Sequence, residues 1–145
     1  MKRQDITEAK KKELIEKALE VLPNSYAPYS NYNVAAAALF DSGNIYTGVN
    51  VESASLGATN CAERNAIQTA VTNGDRKLVA IAVVGGMHGD TTGAYCVPCG
   101  ICRQVMRDFA DKDEMILISA KSTDDYREYT LEEILPCSFG PESLD

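Results

Sequence analysis

The chain has 145 residues, enough for one domain that buries roughly 68–70% of the surface its unfolded form exposes, with no need of disulfides. Its 45% hydrophobic and 24% charged residues, with no long apolar run, exclude a fibrous, disordered or membrane-spanning protein. Fourteen Lys and Arg against 21 Asp and Glu give a net charge of −7, and no segment interleaves basic residues with aromatics, which argues against a nucleic acid partner.

From about Asp5 to Leu22 the pattern predicts an amphipathic helix, with Leu14, Ala18 and Leu22 at i, i+4, i+8 and Pro23 as its stop. Asp5 with Glu8 reads as a capping box, and Thr7 is an alternative cap. No apolar secretion signal precedes this helix, so a cytoplasmic location is expected. Asn24 to Asn31 is a tyrosine-rich stretch of turn formers. Val34 to Phe40 alternates, with alanines on its second face, as in a strand covered by helices on both sides, and Ile45 to Val49 returns antiparallel to it. Asn50 and Glu52, two residues apart at a strand end, point the same way. Cys61 to Asn73 predicts a helix whose small apolar stripe includes Ala62, Ala66 and Ala70, capped by Gly74.

Leu78 to Val84 is an apolar run of the central-strand kind, which Gly85-Gly86 is expected to break. A polar loop over Gly89 to Tyr95 leads to a second helix from Cys99 to about Phe109, and Met115 to Ser119 adds a strand that completes a βαβ unit with a parallel pair. Thr130 to Pro136 is a short capped helix.

Two stretches carry chemistry: Cys61-Ala62-Glu63 and Pro98-Cys99-Gly100-Ile101-Cys102. Three thiols and one carboxylate at this spacing suit a zinc site with three protein ligands, an open fourth position and an acid/base beside it. If each stretch opens a helix, Cys99 and Cys102 share one face, and two positive helix ends point at one metal and favour thiolate. Each half alone also fits redox pairs or structural zinc sites; together they match the signature of zinc deaminases. Five cysteines is an odd number, and in a reducing compartment Cys61, Cys99 and Cys102 read as ligands of one zinc. Cys96 and Cys137 are left over, although Cys96 forms its own Cys-x-x-Cys with Cys99. Glu63, placed next to the metal without binding it, is the candidate catalytic acid/base; a first-turn glutamate is also favoured by the helix dipole alone. Three thiolates on a divalent zinc leave a net −1, which weakens the acidification of water, and Arg64 is placed to offset that charge. Arg103 is a second candidate for this role, or a solvent-facing residue. The only histidine, His88, sits in a glycine-rich loop, where it reads as an ordinary surface residue in preference to a metal ligand or base.

The chain resembles the short, homotetrameric cytidine deaminases over nearly its whole length. The resemblance is carried by Tyr26-Ala27-Pro28-Tyr29-Ser30, Asn50-Val51-Glu52, Cys61-Ala62-Glu63-Arg64, Pro98-Cys99-Gly100, Cys102-Arg103-Gln104 and the tail Leu135-Pro136 with Phe139. It implies an α/β fold, a three-layer α/β/α sandwich with a mixed central sheet of about five strands in a single domain over residues 1–145. It implies hydrolysis of cytidine and deoxycytidine to uridine and deoxyuridine with loss of ammonia, one zinc per chain, and a role in pyrimidine salvage. It puts Asn50 and Glu52 on the ribose hydroxyls, Tyr32 on the base in place of a phenylalanine, Ala54 and Ala62 at the substrate, and Arg64 on the ligand sulfurs. Phe139 would reach in from a neighbouring subunit of a homotetramer with shared active sites, in which small-residue faces such as Ala66 and Ala70 are buried. From the residues alone, Asn50 also reads as a turn residue and Tyr32 and Phe139 as core.

The sequence departs from the family pattern at Ser53, where asparagine is usual, at Leu56, where an aromatic is usual, and at Ala35, where glycine is usual. Leu56 cannot donate the hydrogen bond that a tyrosine offers near the sugar. Two other readings compete: a zinc deaminase of another aminated heterocycle, and a structural zinc module, for which only Cys96 could be the fourth ligand.

Overall fold

In a computed structural model describing residues 1–145, the alternating stretch forms strand β1, Tyr32–Phe40. Successive side chains of a strand leave opposite faces, so Ala36, Ala38 and Phe40 enter one apolar core while Ala35, Ala37 and Leu39 enter another. Helix α1, Glu8–Val21, covers the second face with Leu14, Ile15 and Ala18, all fully buried. Each of its larger apolar side chains contributes roughly 1.5–3 kcal/mol by leaving water. On the first face lie α2, Ala62–Thr72, and α3, Gly100–Phe109. The result is the expected three-layer sandwich.

Strand β2, Ile45–Val49, pairs antiparallel with β1, whose other edge pairs antiparallel with β3, Leu78–Met87. Strand β4, Ile116–Ser122, is parallel to β3, and β5, Asp125–Thr130, closes the sheet antiparallel to β4. The five-stranded order is β2-β1-β3-β4-β5, with the β3-α3-β4 unit at its centre. A short helix α4, Leu131–Ile134, follows β5, its Thr130 and Glu133 forming a capping box.

Several expectations are corrected. Helix α1 starts at Glu8 because Thr7 is the cap that works: its Oγ1 accepts from the Lys10 amide at 3.1 Å, while the Asp5 carboxylate is taken by the Lys2 amide. Gly85-Gly86 does not end β3. Both pair with β1, and they are glycines because a Cβ at Gly85 would lie 2.6 Å from the Asn33 carbonyl oxygen and one at Gly86 1.9 Å from that of Asp90. Strand β5 escaped the sequence reading because Asp-Tyr-Arg-Glu-Tyr-Thr is almost wholly polar, as suits an edge strand with solvated side chains.

Ala66 and Ala70 are not free to meet another subunit, since both are fully buried against the chain's own sheet. The reason is close approach: a Cβ at Gly48 of β2 would lie 2.6 Å from the Ala62 carbonyl oxygen and from the Ala66 amide nitrogen. Strand β2 and helix α2 therefore meet backbone to backbone, which fixes where the first turn of α2 sits.

Candidate active site

Both inner helices begin at a cysteine. Cys61 precedes α2 and Cys99 precedes α3, each with an extended backbone and neither using its side chain as a cap, so both sulfurs are free to face a common point. Cys102 lies one turn into α3 and is fully buried. The Cys61 and Cys99 sulfurs are 3.9 Å apart, those of Cys99 and Cys102 3.6 Å, and all three lie within 4.8 Å of one another. Tetrahedral zinc with Zn–S bonds of about 2.3 Å needs sulfurs about 3.8 Å apart, so the donor set fits zinc by spacing as well as by chemistry. Cys96 is outside this group; it is buried nearby, and its carbonyl accepts a hydrogen bond from the buried Ser119 hydroxyl at 2.6 Å.

The neighbouring Cys102 thiol, with the Arg64 guanidinium beside it, pulls the Cys61 thiol well below its ordinary range. The same pairing with Cys61, together with burial, pushes Cys102 up in the absence of metal. Arg64 Nη2 donates to Cys61 Sγ at 3.2 Å, which puts a full positive charge against the ligand cluster. Glu63, in the first turn of α2, is only 3% exposed, and burial pushes its carboxyl up to about 7. A carboxyl poised there both accepts and releases a proton readily near neutral pH, although a bound divalent cation pulls it back down.

A cleft of about 230 Å³ opens over the thiols, with Cys61, Cys99, Ala62 and Glu63 on its floor and Tyr32, Asn50 and Glu52 on its walls. Asn50 is 8% exposed and heavily used: its Oδ1 accepts from the Val34 amide and the Ser25 hydroxyl, and its Nδ2 donates to the Tyr32 carbonyl at 2.8 Å. It thereby fixes the backbone that carries Tyr32. The Glu52 carboxylate accepts from the Ser30 hydroxyl, and from the Tyr29 and Ser30 amides at 3.0 and 3.1 Å, which holds its pKa low and anchors the Tyr29-Ser30 loop beside the cleft. Ala54 is exposed and does not line the cleft. Phe139 is 59% exposed and also lies outside it. Arg103 does not face solvent: Nε donates to the Pro98 carbonyl and Nη1 to the Ile134 carbonyl, both at 2.8 Å, bracing the ligand loop against α4. Cys96, Val34, Asn60 and Ser30 line the cleft without having been singled out for it.

Residues 8–118 match the family described as the cytidine and deoxycytidylate deaminase zinc-binding region. The chain belongs to the cytidine and deoxycytidylate deaminase family. It is 39% identical over 132 residues to a cytidine deaminase of Halalkalibacterium halodurans, an alignment covering 91% of this chain and 96% of that one. The crystal structure of cytidine deaminase from Burkholderia pseudomallei superposes with a TM-score of 0.77 at 40% identity, covering 88% of this chain and 97% of the other. That of cytidine deaminase from Mycobacterium tuberculosis gives 0.74 at 36% identity over 88% and 95%. The thiol group of this deaminase can therefore be read as its zinc site, and no helix is long and apolar enough to cross a membrane.

Proposed function

We propose that this zinc-dependent deaminase hydrolyses cytidine and deoxycytidine to uridine and deoxyuridine, releasing ammonia, as a single catalytic domain acting in pyrimidine salvage in the cytoplasm. The observation that carries the reading is the group Cys61, Cys99 and Cys102 beside the buried Glu63, at a cleft that Tyr32, Asn50 and Glu52 also line. Held by the three cysteines, zinc supplies the Lewis acidity that makes water a nucleophile at neutral pH. Glu63 takes a proton from the attacking water and hands it to the pyrimidine ring nitrogen as the new C4–O bond forms; it then carries the remaining proton of that hydroxyl to the amino group, so that C4 becomes a carbonyl as the C4–N bond breaks and ammonia leaves. Asn50 and Glu52 face the sugar, Tyr32 the base, and Ala62 backs the floor.

A second reading, deamination of a modified nucleoside or another aminated heterocycle, is favoured by Leu56. It is 78% exposed and lines a recess next to the cleft together with Tyr29, Ser30, Glu52 and Thr59. Ammonia release from cytidine, deoxycytidine and a panel of aminated heterocycles decides between the two. Cytidine and deoxycytidine as the fastest substrates support the first reading; a faster heterocycle that is not a pyrimidine nucleoside overturns it.

Arg64 offsets the excess thiolate charge. Arg64→Gln is expected to keep the fold and lower turnover, with part of the activity recovered at higher pH, because water is harder to deprotonate beside unopposed thiolates. A variant with the native rate and pH profile removes Arg64 from the mechanism.

We further propose a homotetramer whose active sites are completed across subunits. The cleft is small against the roughly 300–1,000 Å³ of sites that enclose a small molecule, which fits a site that a second chain completes. Exposed Tyr29, Leu56, Val97 and Ile101 supply apolar surface for a partner chain to cover. Light scattering is expected to give four chains, and truncation before Phe139 to raise KM for cytidine while leaving zinc in place. A fully active monomer overturns the shared site.

A further inference from the structure

Arg107 is an arginine on an apolar helix face, only 7% exposed, and the reaction makes no use of it. Its guanidinium is turned to the C-terminal tail. Nε donates to the Ser138 hydroxyl at 2.8 Å, Nη2 pairs with the Glu142 carboxylate, and Gly140 lies flat against the group, where a Cβ would come 2.5 Å from Cζ. One turn earlier on the same helix, Gln104 Nε2 donates to the Phe139 carbonyl at 2.8 Å. The backbone on both sides of Phe139 is thus held by α3, while its ring stands out in solvent with 59% of its surface exposed. An aromatic exposed on an otherwise anchored backbone is held ready for a partner surface.

We propose that Arg107, with Gln104, is a positioning clamp that presents Phe139 to the substrate in a neighbouring subunit; this rests on the shared-site reading above. Helix α3 then serves two sites at once. Its first turn holds two thiols of its own site, and its last two turns fix the wall of the next. A side chain at 140 would crowd the guanidinium and force it to shift from its contacts with the tail.

The test is steady-state kinetics with cytidine on the zinc-loaded protein, comparing Phe139→Ala, Arg107→Met and the double variant. Each single variant is expected to raise KM by about tenfold, the ratio that loss of an aromatic contact commands, with kcat and zinc content little changed. Because Arg107 acts through Phe139, the double variant is expected to be no worse than Phe139→Ala alone. Should Arg107→Met fail to fold, Gly140→Ala carries the same expectation with Arg107 intact. Unchanged KM in Phe139→Ala overturns the shared site and the clamp with it. A raised KM in Phe139→Ala with native KM in Arg107→Met and Gly140→Ala overturns the clamp alone, as does an additive effect in the double variant.

Discussion

Glu63→Ala is expected to retain about one zinc per chain while losing 10²–10⁴ in turnover, roughly 3–5 kcal/mol of transition-state stabilisation, the magnitude usual for a positioned acid/base. Glu63 sits two residues from Cys61 yet belongs to the cleft floor and not to the thiol group, so its loss removes the proton carrier and leaves the ligands in place. Stability is not expected to suffer much. A carboxyl that burial has already pushed up to about 7 is a burden on the folded, metal-free chain, and removing it relieves that cost while leaving a small cavity. Metal analysis beside turnover decides the assignment. A variant that loses its zinc makes Glu63 a ligand, and one with near-native turnover makes it a bystander.

Alanine at Cys61, Cys99 or Cys102 is expected to abolish tight zinc binding and, with it, activity. Two sulfurs cannot complete the set, and the remaining thiols reclaim protons that the metal had displaced. Cys102 should also cost stability, because its fully buried sulfur fills space between α3 and the sheet. Cys96→Ala and Cys137→Ala are expected to keep one zinc per chain. Cys96 offers Ser119 its carbonyl, which alanine retains, and Cys137 is exposed on the tail, far from the thiol group in sequence and outside it in space. Loss of zinc in Cys96→Ala would instead indicate a closed, structural site.

The chemistry was more legible in the sequence than the walls around it. Metal ligands must be particular residue types, so the group Cys61, Cys99 and Cys102 was legible from the chain alone, with Glu63 proposed beside it as the acid/base. The central strands were legible because burial on both faces leaves continuous apolar runs, as in Leu78 to Val84. Polar β5 carries no such signal, and Gly85-Gly86 gives a breaker signal although close backbone approach is what requires glycine there. The lining residues Ser30, Asn60 and Val34 come from separate loops and strands and meet only in three dimensions, so no spacing reports them. Cys96 did carry a signal, its spacing from Cys99, but that pointed to metal binding and not to the wall position it occupies. Asn50 was read as a turn residue or a sugar contact, whereas its amide is also the brace that fixes the Tyr32 backbone. Arg107 gave no signal at all, since a last-turn arginine ordinarily complements the helix dipole in solvent.

The central claim is that one zinc, held by three cysteines in this fold, makes the chain a cytidine deaminase. Its most direct test is to strip the metal and titrate zinc back while following ammonia release from cytidine. Activity should be absent from the stripped protein, rise in proportion to added zinc and level off at one zinc per chain, with uridine as the product. Full activity in the stripped protein, or none at saturating zinc, would contradict it.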